Sequence, residues 1–113
     1  MHELSLAISI LDIALKHAKE AQAEKVLEIE LELGVLSCVM VDSLSFCFDT
    51  VCNGTIAEGA NLAVREKPGM GACEECMANF EVKEYFTVCP KCGSPSVAIS
   101  QGKELLVLSV TVD

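Results

Sequence analysis

The segment CEECMANFEVKEYFTVCPKCG, residues 73–93, decides how the second half of this chain folds. Its cysteines fall at 73, 76, 89 and 92, two C-x-x-C pairs separated by twelve residues. Each pair makes a knuckle and the residues between make a hairpin, so Cys73, Cys76, Cys89 and Cys92 can surround one ion tetrahedrally. Gly93 follows the second pair, where a residue free to take positive φ lets backbone amides turn toward the sulfurs. Apart from Phe80, Val82, Tyr85, Phe86 and Val88 the block has little to bury, and a unit below about 40 residues needs a staple. Metal binding, on the order of 10–16 kcal/mol in zinc-finger peptides, would hold it folded. Four cysteine ligands leave no open position, so the ion, read as Zn²⁺, is structural and hydrolyses nothing. An iron site of the rubredoxin kind shares the Cys-Pro-x-Cys-Gly knuckle, and spacing alone does not separate the two metals. Colour does.

Working outward, the tail ELLVLSVTVD (104–113) is β-branched and apolar enough for a strand, expected to be central. Upstream, NLAVREKPG (61–69) reads as a short strand closed by Pro68-Gly69. Leu44, Cys47, Phe48 and Val51 share one face of DSLSFCFDTVCNG (42–54), which predicts a helix capped by Asp42 or Ser43 and ended at Asn53-Gly54. In VLEIELELG (26–34), Leu27, Ile29, Leu31 and Leu33 alternate with glutamates, the pattern of a half-buried strand. From Leu4 to Gln22, Leu4, Ile8, Leu11, Leu15 and Ala18 recur at helical spacing. The expectation is an α/β fold: two helices on a small, about three-stranded sheet, with an inserted four-cysteine, zinc-ribbon-like domain. Residues 1–67 and 98–113 would form the α/β domain and 68–97 the insert.

A chain of 113 residues suits one compact unit, or one domain carrying a smaller appendage. Its net charge of −9 argues against a nucleic-acid binder and leaves cations and basic protein surfaces as partners. No apolar run reaches the roughly 18 residues of a membrane span. Leu4–Leu15 lacks a basic leader and contains Asp12, so neither a signal peptide nor membrane insertion is expected. Seven cysteines, four of them in tight pairs, suit a reducing cytoplasm better than a disulfide framework.

One of only two histidines follows Met1 directly. The Met1 amine, the His2 amide nitrogen and the His2 imidazole Nδ1 can close fused five- and six-membered chelate rings. Three nitrogens in one plane favour square-planar Ni²⁺ or Cu²⁺ over tetrahedral Zn²⁺. The amide or carboxylate of Glu3 can complete the plane. Met1 should be retained, because its removal normally requires a small second residue. Both the amine and the imidazole must lose protons, so acid should release the metal.

MHELSL (1–6), LELGVLSCV (31–39), CFDTVCNGTIAEGANL (47–62), the paired cysteines and GKELLVLSVTVD (102–113) together resemble the HypA/HybF family of hydrogenase nickel-incorporation proteins. The resemblance runs nearly the whole chain. It implies a small metallochaperone with a nickel domain and a structural zinc domain, handing Ni²⁺, with a partner GTPase, to the large subunit of a NiFe hydrogenase. His2 and Glu3 match the family's nickel motif, and Cys73, Cys76, Cys89 and Cys92 its zinc ligands. Some members recruit a further histidine from the zinc domain; this insert has none, so solvent, Glu3 or a partner's group must fill the fourth place. The other reading is a zinc-ribbon interaction module with no transferable metal.

The remaining candidates read blandly. His17 should face solvent, and Cys38, Cys47 and Cys52 are expected to pack rather than ligate, with Cys52 off the apolar helix face. Glu28, Glu30 and Glu32 form a row that suits the wet side of a sheet better than a cation ladder. Neither a nucleophile–base pair nor a phosphate-binding loop is present, since GMGACEEC lacks the lysine and spacing of one. The chain is therefore not expected to be an enzyme.

Overall fold

The computed structural model describes residues 2–113, and at position 2 the backbone alone. In chain order the elements are α1 (His2–Glu20), β1 (Val26–Gly34), α2 (Val41–Cys52), β2 (Asn61–Lys67), β3 (Gly69–Cys73), β4 (Asn79–Val82), β5 (Val97–Gln101) and β6 (Leu105–Val112). They build two three-stranded sheets, ordered β2-β1-β6 and β4-β3-β5. Two helices, a small sheet and a cysteine-rich insert are thus all present, as expected. The chain divides into two compact units: residues up to Leu31 with Val39–Arg65 and Leu106–Asp113, and Glu32–Cys38 with Glu66–Leu105.

In the first unit, α1 packs on α2. Helix α1 buries Ala7, Ile10, Leu11, Ala14 and Ala18. The expected stripe is met only in part: Leu11 and Ala18 are buried, but Leu4 and Leu15 are half-buried and Ile8 is 45% exposed. Small residues on a packed face let helices approach closely, so here size decides the phase, not hydropathy. The helix ends in a left-handed turn, with the Ala23 N–H on the Ala18 carbonyl (2.9 Å), the Gln22 N–H on the Lys19 carbonyl (3.1 Å) and Gln22 at φ +54°. That position usually holds glycine. Gln22→Gly is expected to raise stability by up to about 1 kcal/mol, read as a higher urea midpoint at unchanged slope.

Strand β1 is central. It buries Ile29, Leu31 and Leu33, but at its start Val26 is buried and Leu27 is 45% exposed, against the expected alternation. There the Val26 N–H bonds to the Ile56 carbonyl beyond α2 (3.0 Å). Asn61 Nδ2 donates to Glu28 Oε1 (2.8 Å), Arg65 pairs with Glu30 (2.9 Å) and Lys67 with Glu32 (3.6 Å). The partners ascend together along the two strands, so β2 runs parallel to β1, as a strand–helix–strand crossover through α2 allows. The glutamate row is thereby matched one to one by β2 and is no vacant cation ladder. Such exposed pairs fix register more than they stabilise.

Strand β6 lies on the other side of β1, at the sheet edge. The Gly34 N–H bonds to the Glu104 carbonyl (2.9 Å) and the Asp113 N–H to the Lys25 carbonyl (3.1 Å), partners that run in opposite senses. The pairing is antiparallel. The expected central place for this strand is thus corrected: Leu106 and Leu108 are 45% and 44% exposed. A β-branched composition records a fit to a pleated surface and does not distinguish centre from edge.

Helix α2 starts at Met40, whose side chain makes no capping bond, and Asp42 lies inside the first turn. Neither Asp42 nor Ser43 is the cap. The buried line is Leu44, Phe48 and Cys52, so Cys52 sits on the apolar face after all. Burial, followed by the Asp49 carboxylate, pushes its thiol up to about 11. Cys47 is half-buried and Cys38 exposed, while His17 is exposed as expected.

In the second unit β3 is central and pairs antiparallel with both β4 and β5. Three glycines make a close crossing beside it. A Cβ on Gly34 would stand 2.0 Å from the Gly102 carbonyl oxygen, one on Gly69 2.3 Å from that of Val82, and one on Gly102 2.6 Å from Gly69 Cα. Only hydrogen fits at each place.

Candidate metal centre

Both cysteine pairs fold into the same five-residue knuckle. In the first, the Met77 N–H bonds to the Cys73 carbonyl (3.0 Å) and the Cys73 N–H to that of Ala78 (2.9 Å). In the second, the Gly93 N–H bonds to the Cys89 carbonyl (2.8 Å) and the Cys89 N–H to that of Ser94 (2.8 Å). The fifth residue is left-handed in each, Gly93 at φ +77° and Met77 at +65°. Glycine at 93 was legible in the sequence; methionine in the same role was not, because no side chain advertises that conformation. No atom lies within 4 Å of a Cβ built on Gly93. Gly93→Ala is therefore expected to cost only the backbone term, about 1 kcal/mol, checked by thermal unfolding of the metal-loaded chain.

The turns aim amides at one sulfur of each pair. Cys73 Sγ accepts from the Glu75 and Cys76 N–H groups, both at 3.4 Å, and Cys89 Sγ from that of Lys91 at 3.4 Å. The Cys76 N–H, then that of Glu75, draws the Cys73 thiol down against its burial. Likewise the Cys92 N–H, then that of Lys91, brings Cys89 to about 6. Cys92 goes the other way, to about 12: the Ser94 N–H draws it down, but the hydrogen bond with Cys73, burial and the neighbouring thiols outweigh that. Cys76 is also raised, for although the Ala78 N–H lowers it, the Cys89 thiol and burial prevail. The amides thus favour the thiolate at Cys73 and at Cys89, and metal binding displaces the protons that remain.

Across the site, Cys73 and Cys92 sulfurs are 3.6 Å apart, as are those of Cys76 and Cys89. All four lie within 4.8 Å of one another. A tetrahedron with metal–sulfur bonds of about 2.3 Å has edges of about 3.8 Å, so these residues fit a single Zn²⁺. A disulfide, at about 2.05 Å, does not describe them; all seven cysteines are free. Cys73 and Cys89 are buried, Cys76 and Cys92 exposed. The Glu74 N–H bonds to the Ser96 carbonyl (2.8 Å), tying the first knuckle to the exit of the second. Cys38, Cys47 and Cys52 join no such group among the described residues.

Of the terminal candidates, Met1 and the His2 side chain lie outside the described residues. Glu3 is half-buried in the first turn of α1. Because the helix begins at residue 2, the His2 and Glu3 N–H groups have no intrahelical acceptor.

Residues 1–112 match the family model described as hydrogenase/urease nickel incorporation, metallochaperone, hypA. The chain belongs to the HypA family. It is 48% identical over 113 residues to the hydrogenase maturation factor HypA of Prosthecochloris aestuarii and 39% identical to that of Geobacter sulfurreducens, covering 100% of both proteins. The solution structure of the Ni metallochaperone HypA from Helicobacter pylori superposes with a TM-score of 0.69 at 27% identity, over 97% of this chain and 96% of that one. A second HypA solution structure gives 0.73 at 28% identity, over 99% and 96%. As a HypA, the chain is a nickel metallochaperone of hydrogenase maturation and not an enzyme. No helix among the described residues is long and apolar enough to cross a membrane.

Proposed function

We propose that this HypA carries Ni²⁺ as cargo at its N-terminus and holds a structural Zn²⁺ on Cys73, Cys76, Cys89 and Cys92. The Met1 amine, the amide and imidazole nitrogens of His2, and Glu3 bind the nickel. Division of labour follows the sequence: the α/β part, 1–67 and 98–113, takes the cargo, and the insert, 68–97, takes zinc. A nickel-handling maturation GTPase works with it, and the large subunit of a NiFe hydrogenase receives the metal in the cytoplasm.

One observation supports this above the others: the match to the nickel-incorporation family model takes in residues 1–112, with Met1, His2 and Glu3 among them. Local physics agrees. A helix starting at residue 2 offers unpartnered backbone N–H groups for deprotonation and coordination. The same helix end repels a bare cation through its macrodipole, which Glu3 and amide deprotonation offset. Binding is then moderate and reversible, as a carrier needs. The test is a Ni²⁺ titration of the untagged chain against His2→Ala, following heat and visible absorbance. One saturable site lost in the variant, with zinc retained in both, is expected; equal binding by both, or by neither, rejects the terminal site in favour of a zinc-stapled docking module. Below about pH 6 the nickel should leave, since the imidazole (~6.5) and amine (~8) are then protonated.

A further inference from the structure

The insert carries an apolar feature that metal binding does not use. Between β4 and the second knuckle, residues 83–88 form a bent, irregular segment. Val82 at one end and Cys89 at the other are each only 1% exposed, yet Phe86 is 97%, Val88 55% and Tyr85 48% exposed. Tyr85, Phe86, Thr87, Val88 and Pro95 line a shallow depression of about 580 Å³. An aromatic side chain so fully in water gains nothing for the fold, and clustered apolar exposure marks interaction surfaces. The loop is also anchored at both ends, by β4 and by the metal knuckle. Little ordering entropy is then lost when a partner binds.

Charge selects the occupant. Residues 66–105 carry six glutamates against four lysines, and a divalent ion with four thiolates adds about two negative charges. The whole chain stands at −9. That field repels nucleic acid, which exposed aromatics otherwise suit, and repels an anionic membrane. It also opposes a second copy of the same chain. A basic protein surface is attracted.

We propose that the Tyr85–Val88 loop is a docking surface for a partner protein segment that presents an apolar anchor flanked by lysine or arginine. The anchor fills the depression beside Pro95, and Phe86 packs over it as the central contact of the interface. This surface stands apart from the nickel reading and does not require it.

Photo-cross-linking tests it directly. A benzoylphenylalanine replaces Phe86 in the full-length, zinc-loaded chain inside its native host, and the contacted segment is sequenced, with Glu58 labelled in the same way as a control. That segment, made as a peptide, is then titrated onto wild type and Phe86→Ser, with zinc content measured on both. The expected result is a basic, apolar-centred segment of another protein, whose peptide binds Phe86→Ser at least ten-fold more weakly at unchanged zinc content, with affinity falling as salt rises. The proposal is overturned by cross-links to this chain itself, to nucleic acid or to an acidic segment. It is also overturned by cross-linking no greater than at position 58, or by a peptide that binds both chains alike.

Discussion

Stripping the metal from the four cysteines is expected to unfold residues 66–105 while both helices persist. Buried apolar side chains are few in that unit: Leu33, Leu36 and Val82, with the ligand cysteines themselves. The helical unit instead buries Ile10, Val26, Ile29, Leu31, Leu44 and Phe48 completely or nearly so. Each such side chain contributes roughly 1.5–3 kcal/mol, so the helical unit can meet the entropy of ordering its chain and the cysteine unit cannot. Metal binding, of order 10 kcal/mol or more, makes the difference. Cys73→Ser should act as removal does, because it deletes a buried sulfur that two amides hold in place. Amide resonances of β3–β5 would collapse to unfolded positions on chelation, and those of α1 and α2 would remain dispersed. Retained dispersion throughout the metal-free insert would mean that its fold does not rest on the ion.

A second large effect is expected at the glycine crossing. Gly34→Ala should cost at least about 3 kcal/mol, in the range of severe overpacking. A methyl there meets a backbone oxygen at 2.0 Å, and a backbone atom cannot rotate aside as a side-chain tip can. Gly102→Ala adds a backbone penalty, since Gly102 sits at φ +102° against Gly69 Cα at 2.6 Å. Gly54→Ala is the natural control: its φ is +80° with nothing within 4 Å, so only about 1 kcal/mol is at stake. Urea unfolding of the zinc-loaded variants measures all three. Near-equal losses would show that crowding at the crossing is relieved by small shifts.

Much of this was legible in the sequence because the signals were local. Paired cysteines, Gly93 and the alternation Ile29, Leu31, Leu33 each depend on neighbours a few residues away. What was not legible depends on partners far along the chain. Alanines at 7 and 14 join Ile10, Leu11 and Ala18 on the buried line of α1 because the packed helix face admits small residues. Cys52 joins the core because α2 runs on through it, one turn beyond Phe48 on the buried line. Strand β6 became an edge through the sheet order, which no composition encodes. Nothing local marked Gly34 and Gly102, yet with Gly69 they let three backbone segments approach closely. In the candidate site the thiols declared themselves, while Met77 in a glycine's conformation did not. The terminal motif is the reverse case: plain as a string of residues, while Met1 and the His2 side chain lie outside the described residues.

The central claim is that one chain holds two metals by unrelated means, zinc by four sulfurs and nickel by a free N-terminus. A chain with Gly-Ser-Gly-Ser before Met1, released by proteolytic cleavage, tests it most directly, since a single added residue would place the imidazole third from the new amine and close a fresh four-nitrogen chelate. Nickel and zinc are counted per chain by elemental analysis after saturation and desalting, beside the native chain. One zinc is expected in both and one nickel in the native chain alone, because the added residues convert the Met1 amine into an amide and leave the new amine too far from the imidazole to chelate with it. A full nickel equivalent in the extended chain would contradict it and place the cargo elsewhere.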